Sequence, residues 1–250
     1  MDLLAPTFGN YWKRFRRRHL RPWRSVNYQG IRVHYKKHLD GGGSGIGFGA
    51  FGQDYIPFLR SLDMPKQSRV FEWCSGPGFI GFSMLAHGLC ETLCLADIND
   101  QAVEACQRTI RDNRLGARVS VYESDNLTNI PREEQWDLVV GNPPFYPDKH
   151  EQEIRAYDKD WHIHRRFFAT VGKFLKPRGV VLLQEANDGS TVDTFRPMIE
   201  DAGFSLVLTR GMDPGVRSIY YIGFIRASDP VPEWLHPRGQ PESLKLDSNN

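Results

Sequence analysis

The chain has 250 residues, 40% hydrophobic and 25% charged, with a formal net charge of +2. That is the make-up of a soluble globular protein with room for one domain and additions, or two small domains. No apolar run approaches the roughly 18 residues needed to span a bilayer, no apolar stretch follows the N-terminus as a secretory signal would, and a near-neutral total excludes a polycation.

The charge is uneven along the chain. Residues 1–53 read as a basic, aromatic N-terminal extension followed by a glycine-rich stretch. Lys13, Arg14, Arg16, Arg17, Arg18, Arg21 and Arg24 crowd one segment, with Tyr11, Trp12, Phe15 and Trp23 between them. One reading is an amphipathic helix that docks its aromatic rings on the domain and turns its arginines to water. A second is a nucleic-acid contact, with Arg14, Arg16, Arg17 and Arg18 on phosphates and the rings on bases. A third is an acidic protein partner. Residues 41–49 are too glycine-rich for regular structure. With Ile46, Phe48 and Phe51 in and beside them, they are either a lid over a ligand or a plain linker.

Residues 54–227 alternate strand and helix. Strands are predicted at 70–74, 92–96, 118–122 and 136–140, with helices at 79–87 and 100–114, the latter with an Asp as N-cap. A helix at 162–175 stops at Pro177-Arg178-Gly179. A strand at 180–184, a helix at 191–201 closed by Gly203, and strands at 204–209 and 219–225 complete the series. This alternation predicts an α/β fold: a seven-strand, mostly parallel sheet with helices on both faces and the last strand antiparallel, in a hairpin at one edge. Residues 228–250, rich in Pro, Ser, Asp and Asn, read as a loose C-terminal tail. Cys74, Cys90, Cys94 and Cys106 lack paired zinc spacings, so no metal is expected. They read as buried free thiols of a reducing cytoplasm.

The first strand runs into Glu72-Trp73-Cys74-Ser75-Gly76-Pro77-Gly78. Glycines at 76 and 78 let the backbone approach a ligand at the carboxyl edge of the sheet. Gly76-x-Gly78-x-x-Gly81 formally matches a dinucleotide fingerprint, but Glu72 just before it would oppose a pyrophosphate. Glu72, Asp97 after strand two and Asp125 after strand three instead describe a site for a cationic nucleoside. The plain alternative is three solvated strand-end carboxylates.

Strand four runs into Asn142-Pro143-Pro144-Phe145. Two prolines there forbid both helix and further pairing, so the exit is stiff. An amide at its start and a ring at its end can hold a flat polar group. His162 and His164 follow at a helix start and read as surface residues rather than as a catalytic base; Glu185 and Asp188 lie beyond strand five, with nothing to fix their reach.

Together these residues resemble the class I S-adenosylmethionine-dependent methyltransferases, in the branch with Asn/Asp-Pro-Pro-Tyr/Phe after strand four. The resemblance covers roughly residues 69–225. It implies S-adenosyl-L-methionine as cofactor, with Glu72, Gly76 and Gly78 at its methionine part and Asp97 on its ribose. Asp125 would meet its adenine amine, and Ile98 and Asn126 count with these acids as cofactor contacts. The catalytic set would be Asn142, Pro143 and Phe145. Asn142 Oδ1 and the Pro143 carbonyl would accept the two N–H bonds of a nitrogen conjugated to a planar group, and Phe145 would stack on that group. The family's first turn glycine is Cys74 here, which calls for a less demanding backbone angle. Such enzymes methylate glutamine side-chain amides or exocyclic nucleobase amines. The leading acceptor is a glutamine amide of a protein substrate. A nucleobase, a small metabolite, or a non-reacting partner subunit are the alternatives, and oligomeric state is not legible.

Overall fold

The computed structural model describes residues 22–39, 52, 54–147, 157–187, 189–211 and 219–236. The arginines at 14–18, the glycine-rich stretch at 41–49 and Asp188 lie outside the described residues. The strands are β1 (Trp23–Tyr28), β2 (Ile31–Lys36), β3 (Gln67–Trp73), β4 (Cys90–Asp97), β5 (Val119–Glu123), β6 (Trp136–Gly141), β7 (Leu175–Ala186), β8 (Phe204–Gly211) and β9 (Ile219–Arg226). The helices are α1 (Tyr55–Ser61), α2 (Phe79–Ala86), α3 (Asp100–Asp112), α4 (His162–Val171) and α5 (Val192–Asp201).

Seven strands form one sheet in the order β5-β4-β3-β6-β7-β9-β8. All pairs are parallel except those of β9, which runs antiparallel between β7 and β8. The strand order reverses between β3 and β6, so the turns after β3, β4 and β6 open at a topological switch point.

Residues alternate across the sheet because successive side chains point to opposite faces. Val70, Leu138, Val140 and Leu182 enter one core with α1 and α2. Phe71, Trp73, Val139, Val181 and Leu183 enter the other with α4 and α5. There Trp73 stacks on Phe167 of α4 with ring centroids 3.8 Å apart, and Phe71 stacks on Trp136 at 4.0 Å. Cys90 and Cys106 lie in the first core and Cys94 in the second. Among the described residues no helix is long and apolar enough to cross a membrane.

Several elements differ from the sequence reading. Residues 23–36 form a β-hairpin, which the sequence reading of a basic, aromatic extension did not include. Gln29 and Gly30 both take left-handed angles (φ 46° and 94°), which matches the twist of a two-residue hairpin turn, and Asn27 Oδ1 accepts the Gly30 N–H at 3.0 Å. The hairpin lies on α3. Asn113 Oδ1 and Thr109 Oγ1 accept the Arg32 and His34 N–H groups, each at 2.9 Å, so side chains of a helix saturate a strand edge. Trp23 sits with Lys36 Nζ and the Arg108 guanidinium each 4.8 Å from its ring centre.

Helix α4 ends at Val171, four residues early, and β7 begins at Leu175 so that Pro177-Arg178-Gly179 lie inside the strand. Arg226 makes the early stop tenable by donating to the Gly172 and Lys176 carbonyls at 2.6 and 2.8 Å. The N-cap of α3 is Asn99 rather than Asp100, its side chain accepting from Gln101 N at 3.0 Å. At the C-terminus, Glu233–Leu235 forms a short 3-10 turn that buries Leu235 in the first core, where a loose tail was expected.

Candidate active site

The glycine turn after β3 is built by its carboxylates. Glu72 is buried, and its two oxygens accept the Gly81 and Ile80 N–H groups at 2.7 and 3.3 Å. It therefore fastens the first turn of α2, and burial pushes its carboxyl up to about 8 against the pull of those two donors. A Cβ at Gly81 would meet Glu72 Oε2 at 2.7 Å, so this contact needs a glycine. Asp97 Oδ2 accepts Gly76 N at 2.7 Å, and Oδ1 accepts Asn99 N at 2.8 Å. Burial raises its carboxyl above the ordinary range, while the backbone donors hold it down.

Gly76 (φ 52°) and Gly78 (φ 79°) are both left-handed, and a Cβ on Gly76 would meet nothing within 4 Å. Cys74 corrects an expectation. Its φ is 51°, the left-handed angle of the glycine it replaces, so the strand exit demands this backbone even at the cost a Cβ imposes. Desolvation, with Asp97 and Asp158 adding repulsion, holds its thiol protonated.

Ile98, next to Asp97, is an apolar side chain that is 67% exposed. Asp125 does not stand free: Arg166 of α4 donates to both its oxygens, at 3.2 and 2.9 Å. Asn126 is left-handed (φ 58°); its Nδ2 donates to the Ile163 carbonyl at 2.9 Å, and its buried Oδ1 has no partner among the described residues.

The Asn142–Phe145 segment is held from below. Tyr55 of α1 donates its buried hydroxyl to the Gly141 carbonyl at 2.7 Å. Asn142 is exposed, yet its amide has a fixed sense: Nδ2 donates to Gln184 Oε1 at 3.0 Å. Gln184 in turn gives its Nε2 to Asp54 and, at 2.8 Å, to the Tyr221 hydroxyl, which donates to Asp54 at 3.0 Å. Since Asp54 can only accept when ionised, Gln184 must offer oxygen to Asn142, and Asn142 must answer with nitrogen. That leaves Asn142 Oδ1 as an acceptor, and no donor among the described residues engages it. Pro143 is buried, and no N–H among the described residues donates to its carbonyl. Phe145 is half-buried, tilted on Tyr146 with centroids 4.6 Å apart.

On the opposite face, His164 is not the surface residue expected but fully buried. Its Nδ1 lies 2.6 Å from Asp158 and its Nε2 3.2 Å from Glu185. Burial works against the imidazolium, but Glu185 and Asp158 outweigh it and raise the ring to about 9. Asp158 also accepts the Ile163 and His164 N–H groups at 2.7 and 3.1 Å, capping α4, while Asp160 and Trp161 take left-handed angles beside it. Asp54, Tyr55, Gln184, Tyr221 and Asp158 were not singled out from sequence, and His164 and Glu185 were named there without being brought together. The one local signal was a glutamine closing the apolar run Val180-Val181-Leu182-Leu183.

The strand order, the antiparallel β9 and the glycine turn at the switch point define a Rossmann-like methyltransferase domain. The chain belongs to the methyltransferase small domain family, which matches residues 56–193. It is similar to the release factor glutamine methyltransferase of Clostridium acetobutylicum, 27% identical over 61% of this chain and 58% of that protein. It is also similar to the ribosomal RNA small subunit methyltransferase C of Shewanella denitrificans, 34% identical over 53% of this chain and 36% of that protein. The chain thus spans little more than half of the first relative and about a third of the second. Among solved structures, a 16S rRNA N2 methyltransferase of T. thermophilus, in complex with AdoMet and guanosine, shares the fold with a TM-score of 0.54. It is 14% identical and aligns over 80% of this chain and 49% of its own.

Proposed function

We propose that this protein is an S-adenosylmethionine-dependent N-methyltransferase whose acceptor is a nitrogen conjugated to a planar group, foremost a glutamine side-chain amide of a protein substrate. The observation that carries this reading is the fixed sense of Asn142, whose Oδ1 is left as an acceptor by the hydrogen bonds behind it. The cofactor edge fits a cationic nucleoside. Asp97 would take ribose hydroxyls, exposed Ile98 would cover one face of a flat ring, and the unpartnered Asn126 Oδ1 would accept from an exocyclic amine. Gly76 and Gly78 would pass the methionine part, with Glu72 supporting that turn from beneath. Bound there, S-adenosylmethionine supplies an electrophilic methyl group.

The chain's own residues do the rest. An amide or aryl-amine nitrogen is a poor nucleophile because its lone pair is delocalised. Asn142 Oδ1 and the Pro143 carbonyl accept its two N–H bonds and draw the nitrogen out of plane, and Phe145 stacks on the planar group. This is rate enhancement by positioning and preorganised dipoles, without a strong base. Asn142→Ala should lose about 10²–10³ in rate, as for removal of one preorganised polar contact. Full turnover by that variant would sink the mechanism.

A glutamine acceptor is favoured because the match to the release factor enzyme runs over more of both chains. The ribosomal RNA relative supports the second reading, a nucleobase amine, with Arg14, Arg16, Arg17 and Arg18 on phosphates. A tritiated-methyl assay on cell extract split into protein, RNA and small-molecule fractions decides between them. Label in RNA, with activity falling steeply as salt rises, replaces the first reading by the second. A cytoplasmic setting is part of this proposal, and the four free thiols support it.

A further inference from the structure

We infer that the tip of β7 clamps both ends of the Asn142–Tyr146 segment, which makes Gln184 and His164 positioning residues for methyl transfer. Gln184 and Glu185 are sequence neighbours at the end of one strand, so their side chains leave opposite faces of the sheet. On the α1 face, Gln184 holds the first residue of the segment through Asn142 Nδ2 at 3.0 Å, and is itself held by Asp54 and Tyr221. On the α4 face, Glu185 meets His164 Nε2 at 3.2 Å, and His164 Nδ1 meets Asp158 at 2.6 Å. Asp158 closes the circuit, because its backbone N–H donates to the Tyr146 carbonyl at 2.8 Å, at the other end of the segment.

The circuit is dry where it counts. His164, Asp158 and Glu185 are each no more than 1% exposed, and Gln184 is 4% exposed. Buried polar groups of this kind hold one geometry or none, since a broken link leaves a partner unsatisfied in a low dielectric. The two stiff prolines between the clamped ends turn a small shift at either end into a shift of the whole segment. Two consecutive left-handed residues, Asp160 and Trp161, sit beside the Asp158 clamp, so its surroundings over-determine a backbone that would otherwise relax. Neither Gln184 nor His164 needs to touch a substrate for this role.

The inference rests on the reading of Asn142 as the acceptor that orients the nitrogen, and two measurements separate the one from the other. The first is kinetic, on the full chain. Gln184→Met and His164→Gln should each lower kcat by about 10- to 100-fold, the cost of misplacing a preorganised group. Cofactor affinity by calorimetry should stay within about twofold, because Asp97, Ile98 and the glycine turn are untouched. His164→Gln, which keeps one carboxylate partner, should outperform His164→Leu. If His164→Gln fails to fold, Asp158→Asn, whose Oδ1 keeps the Ile163 N–H cap of α4 and whose Nδ2 gives up the His164 contact, is read in its place. Unchanged kcat in both positions, or equal losses in kcat and cofactor affinity, overturns the inference. The second is spectroscopic and independent of turnover. The Asn142 side-chain amide, assigned by its absence in Asn142→Ala, should shift in the NMR spectrum of Gln184→Met. An unmoved resonance overturns the clamp even in an active enzyme; a moved resonance in a protein that methylates nothing keeps the clamp and rejects the proposed chemistry.

Discussion

Two glycines of one turn serve different ends. Gly78 opens α2 at φ 79°, and a Cβ there would lie 2.8 Å from the Phe82 ring and 3.1 Å from Leu95. Gly76 is left-handed as well, but its Cβ would enter open space. Gly78→Ala therefore combines a left-handed penalty of about 1–2 kcal/mol with an overpacking cost of about 1–3 kcal/mol. Gly76→Ala carries only the first. Urea denaturation should show the larger loss for Gly78→Ala. Cofactor titration should show the reverse order of interest: Gly76→Ala, still folded, loses affinity, because its methyl group occupies the space a ligand would take. Equal stability losses at both positions would contradict the packing argument. Cys74 bears on the same turn. Its left-handed angle shows that the turn, rather than the residue type, dictates the conformation.

Helix α1 acts as a strut beneath the Asn142–Phe145 segment. The Tyr55 hydroxyl reaches both the Gly141 carbonyl at 2.7 Å and the Leu182 carbonyl at 3.3 Å, tying β6 to β7 one residue before Asn142. Tyr55→Phe keeps the ring and deletes these bonds, so it should cost about 1–3 kcal/mol for the buried carbonyl left unpaired. The activity loss should exceed what that destabilisation alone explains at a temperature where the variant is fully folded, measured by circular dichroism and initial rates side by side. This strut was invisible in the sequence, and the reason is separation. The strands of the sheet were legible because parallel, doubly covered strands read as continuous apolar runs, and the strand ends at Asp97 and Gly141 were legible because each closes one. The hairpin was not, since its edge is saturated by α3 and Arg32 and Asn113 stand 81 residues apart. Nor was the support of Asn142, where Asp54 and Gln184 are 130 residues apart. His164 failed for a related reason. Helical periodicity placed it at a helix start, but only the return of β7 supplies the Glu185 that permits its burial.

At the scale of the whole molecule, the buried titratable groups set how stability responds to pH. Glu72 keeps its proton in the folded state up to about 8, against an ordinary value of 4.5, and His164 keeps its proton up to about 9, against 6.5. In both cases the folded protein binds more protons than the unfolded chain across the interval. Stability therefore falls as pH rises, through Glu72 between 4.5 and about 8 and through His164 between 6.5 and about 9. The burial-raised carboxyl of Asp97 acts in the same sense. Each fully retained proton is worth about 1.4 kcal/mol per pH unit, or on the order of 3–5 °C in Tm for a domain of this size. The steepest fall should lie between pH 6.5 and 8, where both windows overlap. Differential scanning fluorimetry from pH 5 to 9.5 reads it directly. Glu72→Gln should remove its slope from 4.5 to about 8 and leave only the His164 part above 6.5, and His164→Gln should remove its slope from 6.5 to about 9 and leave the Glu72 part below about 8. A Tm that rises across this range would mean that Glu72 is ionised beneath α2 in the folded protein, its charge held by the Ile80 and Gly81 N–H groups. The negative charge at the base of the glycine turn would then be permanent rather than titrating near neutrality.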